Sequence, residues 1–400
     1  MSRATLGVIV GNREFFPDAL VTEARADILA LFEEMDLDAV IVDEQATKLG
    51  GIESWRDAQL CADLFDSRRK DIEGVVVVLP NFGDEKGVAD TMRLSGLKVP
   101  ILLQAYPDDV ESFDLARRRD AFCGKISASN DLRQYGFKFS LTENHTTPVL
   151  SDAFRADLDK FVRTCKVANG MGSARLGAVG TRPAAFKTVR YSEKLLEASG
   201  IAVSVVDFSQ VFGWAESLSD DDAKVKAKLE EIRGHVAAPA VPPEKLVRMS
   251  KLGATIDTWV ADNDLDATAL QCWSSLQENF GVNVCTLMSI MSSKMMPSAC
   301  ETDVTGVASM YALQLAAEEP AAIVDLNNNY GDDPDKCVLF HCGNWPLNFY
   351  PEGEVEMQFA DVLSTTLGQD STYGSLAGRA KSAPLTIGRI STDDVNGACK

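Results

Sequence analysis

Ser298-Ala-Cys-Glu301-Thr-Asp303, Ala321-Ala-Ile-Val-Asp325-Leu-Asn327 and Val338-Leu-Phe-His341-Cys-Gly-Asn344 are the segments on which the reading of this chain turns. Each sets a metal-competent side chain at or near the end of an apolar run with the texture of a core strand. Strand ends at the edge of an α/β sheet are where ligands bind. Glu301, Asp325 and His341, one of only three histidines, therefore read as a divalent-metal site with acid/base chemistry.

Upstream of these segments the chain alternates strands and helices. Leu6 to Val10 is a β-rich run, Asp18 to Met35 has helical spacing, and Ala39-Val-Ile-Val42 resumes strand character. A helix over residues 55–69, the strand Gly74-Val-Val-Val-Val-Leu79, a helix after Asp84 and Val99-Pro-Ile-Leu-Leu-Gln104 continue the series. Continuous apolar strands between amphipathic helices imply a parallel sheet covered on both faces. The loops after these strands, including Asn12-Arg13-Glu14, fall at its carboxyl edge. There Arg13 reads either as a ligand contact or as a surface salt bridge.

A second series begins at Arg175-Leu-Gly-Ala-Val-Gly180 and includes helices over 191–199 and 219–233. Ser219 and the acids Asp220, Asp221 and Asp222 read as the capped start of the latter helix. Asn169-Gly-Met-Gly172 precedes a strand instead of following one, so it is no nucleotide loop. Ala267-Thr-Ala-Leu-Gln-Cys272 reads as a strand with Gln271 at its end beside Trp273. Gln271 is either a polyol contact or a satisfied buried amide. After Asp325, Asn327 to Asp335 reads as a long turn, followed by alternating segments around Val338, Glu354 to Phe359 and Leu385 to Ile390. The expected fold is α/β, with parallel-sheet domains over residues 1–168 and 169–319. A mainly antiparallel, barrel-like unit, cut short by the end of the chain, follows over 320–400.

Four hundred residues exceed one ordinary core. A net charge of −20 argues against nucleic acid, although a few local arginines suffice for a small anion. The nine cysteines form no CxxC pair, and the N-terminal apolar run is too short for a signal peptide. The expectation is a cytoplasmic protein with buried thiols, no membrane span and a small-molecule substrate.

Two carboxylates and an imidazole suit manganese, cobalt or magnesium, and zinc is compatible with the imidazole. Such a centre holds two adjacent oxygens while a carboxylate moves a proton. Singly, each residue has a plainer reading: Glu301 as a helix-dipole partner ahead of the cap Asp303, Asp325 as a turn former, His341 as a core residue. Asp325-x-Asn327-x-Asn329 is not a calcium loop, because Tyr330 and Lys336 stand where Gly and Glu are required.

Taken in order with Gly11-Asn-Arg-Glu-Phe-Phe-Pro17, Arg175-Leu-Gly-Ala-Val-Gly-Thr-Arg-Pro183 and Thr386-Ile-Gly-Arg-Ile-Ser-Thr-Asp-Asp394, these segments resemble the L-fucose isomerase and L-arabinose isomerase superfamily. The resemblance implies two Rossmann-like domains, a C-terminal β-barrel domain and a hexamer. It also implies interconversion of aldoses and ketoses through a cis-enediol with a manganese-type ion, cobalt or magnesium being alternatives. Glu301 and Asp325 would be metal ligands and the acid/base pair, and His341 a further ligand. Arg13 would contact substrate in a neighbouring subunit; Gln271, Trp273 and Asn344 are further candidate substrate contacts, apart from the resemblance. Family members carry another ligand histidine late in the C-terminal domain, whereas no histidine follows His341 here. The implied substrates are pentoses, deoxyhexoses or a C6-sulfonated hexose such as sulfoquinovose, for which Arg13 and Arg379 are candidate anion donors. A non-catalytic sugar sensor is the alternative, and a zinc hydrolase is disfavoured by the absence of HExxH spacing.

Overall fold

The computed structural model describes residues 3–111 and 117–400. The chain divides into two compact units, Met1–Asn169 and Gly170–Lys400.

In the first unit β1 (Ala4–Val10), α1 (Asp18–Glu34), β2 (Leu37–Ile41), α2 (Trp55–Ser67), β3 (Gly74–Leu79), α3 (Glu85–Ser95), β4 (Ile101–Ala105), α4 (Ala121–Gln134), β5 (Ser140–Leu141) and α5 (Asp152–Met171) follow in order. The strands pair in parallel as β2-β1-β3-β4-β5. Every residue of β3 is buried because helices cover both faces. Val75, Val77 and Leu79 join Phe65 and Met92 on one side, while Val76 and Val78 join Phe32 and Phe161 on the other. Burying each such valine is worth about 1.5–3 kcal/mol. The Asp84 carboxylate caps α3 by accepting from the Gly87 amide at 2.7 Å, and Gly96 ends the helix at φ 61°. Strand order reverses between β1 and β3, so the loops carrying Arg13 and Asn81 leave the sheet where such folds bind ligands.

The second unit opens with β6 (Arg175–Val179), α6 (Glu193–Ala198), β7 (Ala202–Val206), α7 (Phe208–Ser217), α8 (Ala223–His235), α9 (Pro243–Asp262) and β8 (Ala267–Leu270). Then come α10 (Ser275–Phe280), α11 (Cys285–Ser293), β9 (Ser298–Ala299) and α12 (Val304–Ala317). Its sheet is also parallel, in the order β7-β6-β8-β9. Phe280, Met249, Leu252 and Met288 fill one core, and Leu176, Ala269, Val304 and Val307 the other. The α8 cap is Asp222, which accepts from the Lys224 amide at 2.7 Å, and not Ser219 as the sequence pattern predicts.

The C-terminal region comprises β10 (Asp325–Tyr330), β11 (Asp333–Phe340), β12 (Val355–Phe359), α13 (Asp361–Leu367), β13 (Tyr373–Gly378), β14 (Thr392–Asp393) and β15 (Ala398–Cys399). These strands make three antiparallel pairs, β10-β11, β12-β13 and β14-β15. The antiparallel expectation therefore holds, while among the described residues the pairs remain separate sheets and close no barrel. The segment expected as a long turn is a hairpin, turning at Gly331 with φ 58°. Residues 385–390 form no strand. Among the described residues, no helix is long and apolar enough to cross a membrane.

Candidate active site

The carboxyl end of the second sheet runs from β9 into Cys300-Glu301-Thr302-Asp303. Glu301 and Thr302 both take left-handed backbone, at φ 63° and 51°, a conformation costing about 1–2 kcal/mol for each non-glycine residue. Neighbouring contacts hold it. The Thr302 amide donates to the Leu270 carbonyl at 3.2 Å and the Asp303 amide to that of Cys300 at 3.0 Å. Buried Asp303 caps α12 through the Gly306 amide at 2.8 Å and accepts from Arg389 Nη2 at 3.0 Å and Thr305 Oγ1 at 3.3 Å. Asp303 is thus the anchor of the loop, and Glu301 is left for other work. Strain maintained by surrounding contacts is characteristic of functional sites.

Glu301 is half-buried. Burial first, then the charge of Asp325, raise its carboxyl to about 7, against a hydrogen bond donated by the Trp273 side chain. Asp325 reaches this neighbourhood because it stands opposite Phe340 in the β10-β11 ladder, one residue before His341. Burial holds the His341 ring below the usual imidazole range, and the charge of Asp325 pulls it back upward. Asp325 therefore acts electrostatically on both Glu301 and His341.

His341 Nδ1 lies 3.9 Å from the thiol of Cys300, to which Asn344 Nδ2 donates at 3.2 Å. Asn344 is buried, and its amide oxygen makes no hydrogen bond. Gly343 shapes this turn with φ 82°, and a Cβ there would stand 2.1 Å from the Leu376 carbonyl. Its own carbonyl accepts from the Leu376 amide at 3.0 Å, tying the turn to β13.

Two expectations about these segments are corrected. Asp325 begins a strand, whereas the sequence reading placed it at a strand's end. The hairpin is also no core element: all six residues of β10 are exposed, and so are Val338 and Phe340 of β11. Apolar residues in a two-stranded ladder have no second layer to bury them, a distinction that hydrophobicity alone does not carry.

Gln271 is committed to the fold, accepting from the Thr181 amide at 2.9 Å and donating to the Trp273 carbonyl at 3.4 Å. Trp273 is half-buried, edge-on to Phe186 at 5.5 Å between ring centres. In the first unit, Arg13 donates to the Gly83 carbonyl at 2.8 Å, pairs with Glu85 and stacks 4.2 Å from the centre of the Phe82 ring. Arg379 is exposed. Sequence reading missed the polar network beside Arg13, in which buried Asn81 donates to Asn12 at 2.7 Å and Asn12 donates to Glu53 at 2.5 Å. Asn12 and Asn81, each two residues past the end of its strand, β1 and β3, were the available signal.

Among the described residues, no three His, Cys, Asp or Glu side chains converge closely enough to hold a metal ion. The charge of Asp325 bears on both Glu301 and His341, but the three do not close into a cage. Their chemistry, two carboxylates and an imidazole, suits a divalent cation of the manganese type.

Two family models match the chain. Residues 7–172 match the fucose/sulfoquinovose isomerase N-terminal domain, and residues 339–400 match the L-fucose isomerase C-terminal domain. Glu301 and Asp325 fall between the two matches, while Arg13, His341 and Asn344 fall within them. A sulfoquinovose isomerase of Clostridium sp. (strain MSTE9) is 26% identical over 240 residues, covering 56% of this chain and 50% of that protein. One from Priestia megaterium (strain ATCC 12872 / QMB1551) is 22% identical over 227 residues, with the same coverage of 56% and 50%. The chain spans about half the length of the curated relatives it matches. Two parallel α/β sheets, an antiparallel C-terminal region and family matches at both ends of the sequence place this chain in the fucose/sulfoquinovose isomerase superfamily.

Proposed function

We propose that this protein is a cation-dependent aldose-ketose isomerase of the cytoplasm that moves a proton between C1 and C2 of a sugar through a cis-enediol. The reading is supported by the family matches at both ends of the chain and by the charge of Asp325, which bears on both Glu301 and His341. Glu301, Asp325 and His341 are the candidate ligands by chemistry, and they would have to draw closer than they stand among the described residues to share one ion. When bound, a divalent cation, manganese foremost and cobalt or magnesium as alternatives, supplies the positive charge that grips two adjacent sugar oxygens and offsets charge developing on the enediol.

Glu301 and Asp325 are the acid/base pair, one taking the proton from carbon and the other serving the neighbouring oxygen. The Trp273 side chain favours the charged form of the Glu301 carboxyl. The unpaired amide oxygen of Asn344 is a buried acceptor that a sugar hydroxyl would satisfy.

The favoured substrate is a hexose carrying a C6 sulfonate, sulfoquinovose, in line with the relatives' names; deoxyhexoses and pentoses are the alternatives. A sulfonate calls for bidentate guanidinium donors. Arg13 is proposed for that role toward the pocket of a neighbouring copy in a homo-oligomer, hexameric as the resemblance implies. The test is turnover over a panel of sulfoquinovose, L-fucose, L-arabinose and other aldoses with added manganese. Ketose formation, fastest with the sulfonated sugar, is expected. Sugar binding without turnover under any metal would overturn the enzyme reading in favour of a sensor.

A further inference from the structure

The loop after β6 carries three cations at the same sheet edge as Glu301. Arg182, Lys187 and Arg190 follow the strand Arg175–Val179 in a chain whose formal charge is −20. Among the described residues none of the three forms an ion pair. Arg13 is by contrast paired with Glu85.

Direct contacts join this loop to the one that bears Glu301. In the sheet order β7-β6-β8-β9, β8 stands between the strands that the two loops follow. The Thr181 amide donates to Gln271 Oε1 at the end of β8, at 2.9 Å, and Thr302 Oγ1 donates to the Val179 carbonyl at 3.5 Å. A Cβ on Gly180 would stand 2.6 Å from Gln271 Oε1, so the loops after β6 and β8 touch there. Phe186 packs edge-on against Trp273. Glu301 precedes Thr302 and Arg182 follows Thr181, so their backbones leave the sheet two strand spacings apart, about 10 Å. An open-chain hexose with C1 and C2 at Glu301 and an acidic group on C6 has that reach.

Arg182 is half-buried, and its Nη1 donates to the carbonyls of Pro183 at 2.9 Å and Ala184 at 3.2 Å. The Phe186 amide closes the same turn by donating to the Pro183 carbonyl at 3.0 Å. Both hydrogens of Nη1 are thus engaged by backbone, which fixes the plane of the guanidinium. The Nε and Nη2 edge has no protein partner among the described residues. That edge presents two parallel N–H groups, the geometry that grips two oxygens of a sulfonate or phosphate. Exposed Lys187 and Arg190 add positive potential around it.

We infer that Arg182 is the specificity-determining residue of an anion subsite that takes a sulfonate or phosphate at C6 of the sugar. The inference rests on the isomerase reading for the sugar's place at Glu301, and it makes the anion donor a residue of the same chain. The three oxygens of a sulfonate leave room for Arg13 of a neighbouring copy as well.

The experiment is titration calorimetry of the full chain, with and without manganese, against sulfoquinovose, glucose 6-phosphate and L-fucose. It compares the unaltered protein with Arg182→Gln and Arg182→Lys, each checked for an unchanged melting profile. Arg182→Gln should weaken sulfoquinovose by about tenfold or more, Arg182→Lys by less, and the loss should be confined to charged sugars. Glucose 6-phosphate bound more tightly than sulfoquinovose, with the same dependence on Arg182, would support the subsite and assign phosphate as its anion. An equal loss on L-fucose makes Arg182 a structural residue and overturns the proposal. So does binding of both charged sugars that Arg182→Gln leaves unchanged, or an unaltered chain that prefers neither to L-fucose. Binding is read without turnover, so the two readings fail separately. Arg182-dependent binding with no ketose formed would sink the isomerase reading alone, whereas ketose formation from sulfoquinovose with binding indifferent to Arg182 would sink the subsite alone.

Discussion

Glu301 combines half-burial, a left-handed backbone and a carboxyl raised to about 7 beside a second carboxylate. Replacing it with Gln keeps shape and volume but removes the proton carrier, so turnover should fall by about 100- to 10,000-fold while the fold persists. Steady-state kinetics with circular dichroism checks this. His235 tests the electrostatics of the fold away from the site. Burial lowers its ring from 6.5 to about 4, and its Nε2–H donates to Ser289 Oγ at 2.9 Å, which in turn donates to the Trp345 carbonyl at 2.6 Å. Between those values the unfolded chain holds more protons than the folded one. Stability should therefore fall as pH drops from 6.5 to 4, by up to about 1.4 kcal/mol per pH unit from this residue. His235→Gln should flatten that slope in urea titrations. An unchanged slope would assign the acid lability elsewhere.

At the scale of elements, two joints place the site. Asp303→Ala removes the α12 cap and leaves Arg389 without its carboxylate, with only the Thr305 hydroxyl to accept from it, and should lower stability by about 2 kcal/mol in denaturant titration. Gly343→Ala would put a Cβ into the Leu376 carbonyl at a positive φ. It should cost about 3 kcal/mol or more and misplace His341 and Asn344. Both joints were partly legible in the sequence, Asp303 as a cap three residues ahead of Gly306 and Gly343 as a break after an apolar run. The β-α-β order was legible too, because covered parallel strands read as continuous apolar runs such as Gly74–Leu79. Helix α11 was not: residues Cys285–Ser292 are buried all round, so no polar face marks the helical period. The exposed hairpin escaped for the opposite reason, since Leu326, Val338 and Phe340 look like core yet have nothing packed over them.

Asp325, 24 positions beyond Glu301 and 16 before His341, bears by its charge on both, in a chain of net charge −20. That surplus of acid disfavours polyanions but leaves local sites such as Arg13, held over Phe82 and beside Glu85, free to be tested singly. If Arg13 serves a sulfonate, Arg13→Met should raise KM for sulfoquinovose at least tenfold while leaving that for L-fucose nearly unchanged. A uniform loss on both sugars would instead assign Arg13 to the fold. The central claim is that Glu301, Asp325 and His341 act at one cation. It is tested most directly by electron paramagnetic resonance of manganese added to metal-stripped protein, comparing the unaltered chain with Glu301→Gln, Asp325→Asn and His341→Ala. One bound manganese per chain, weakened at least tenfold by each substitution, is the predicted result; binding that all three variants retain unchanged would contradict it.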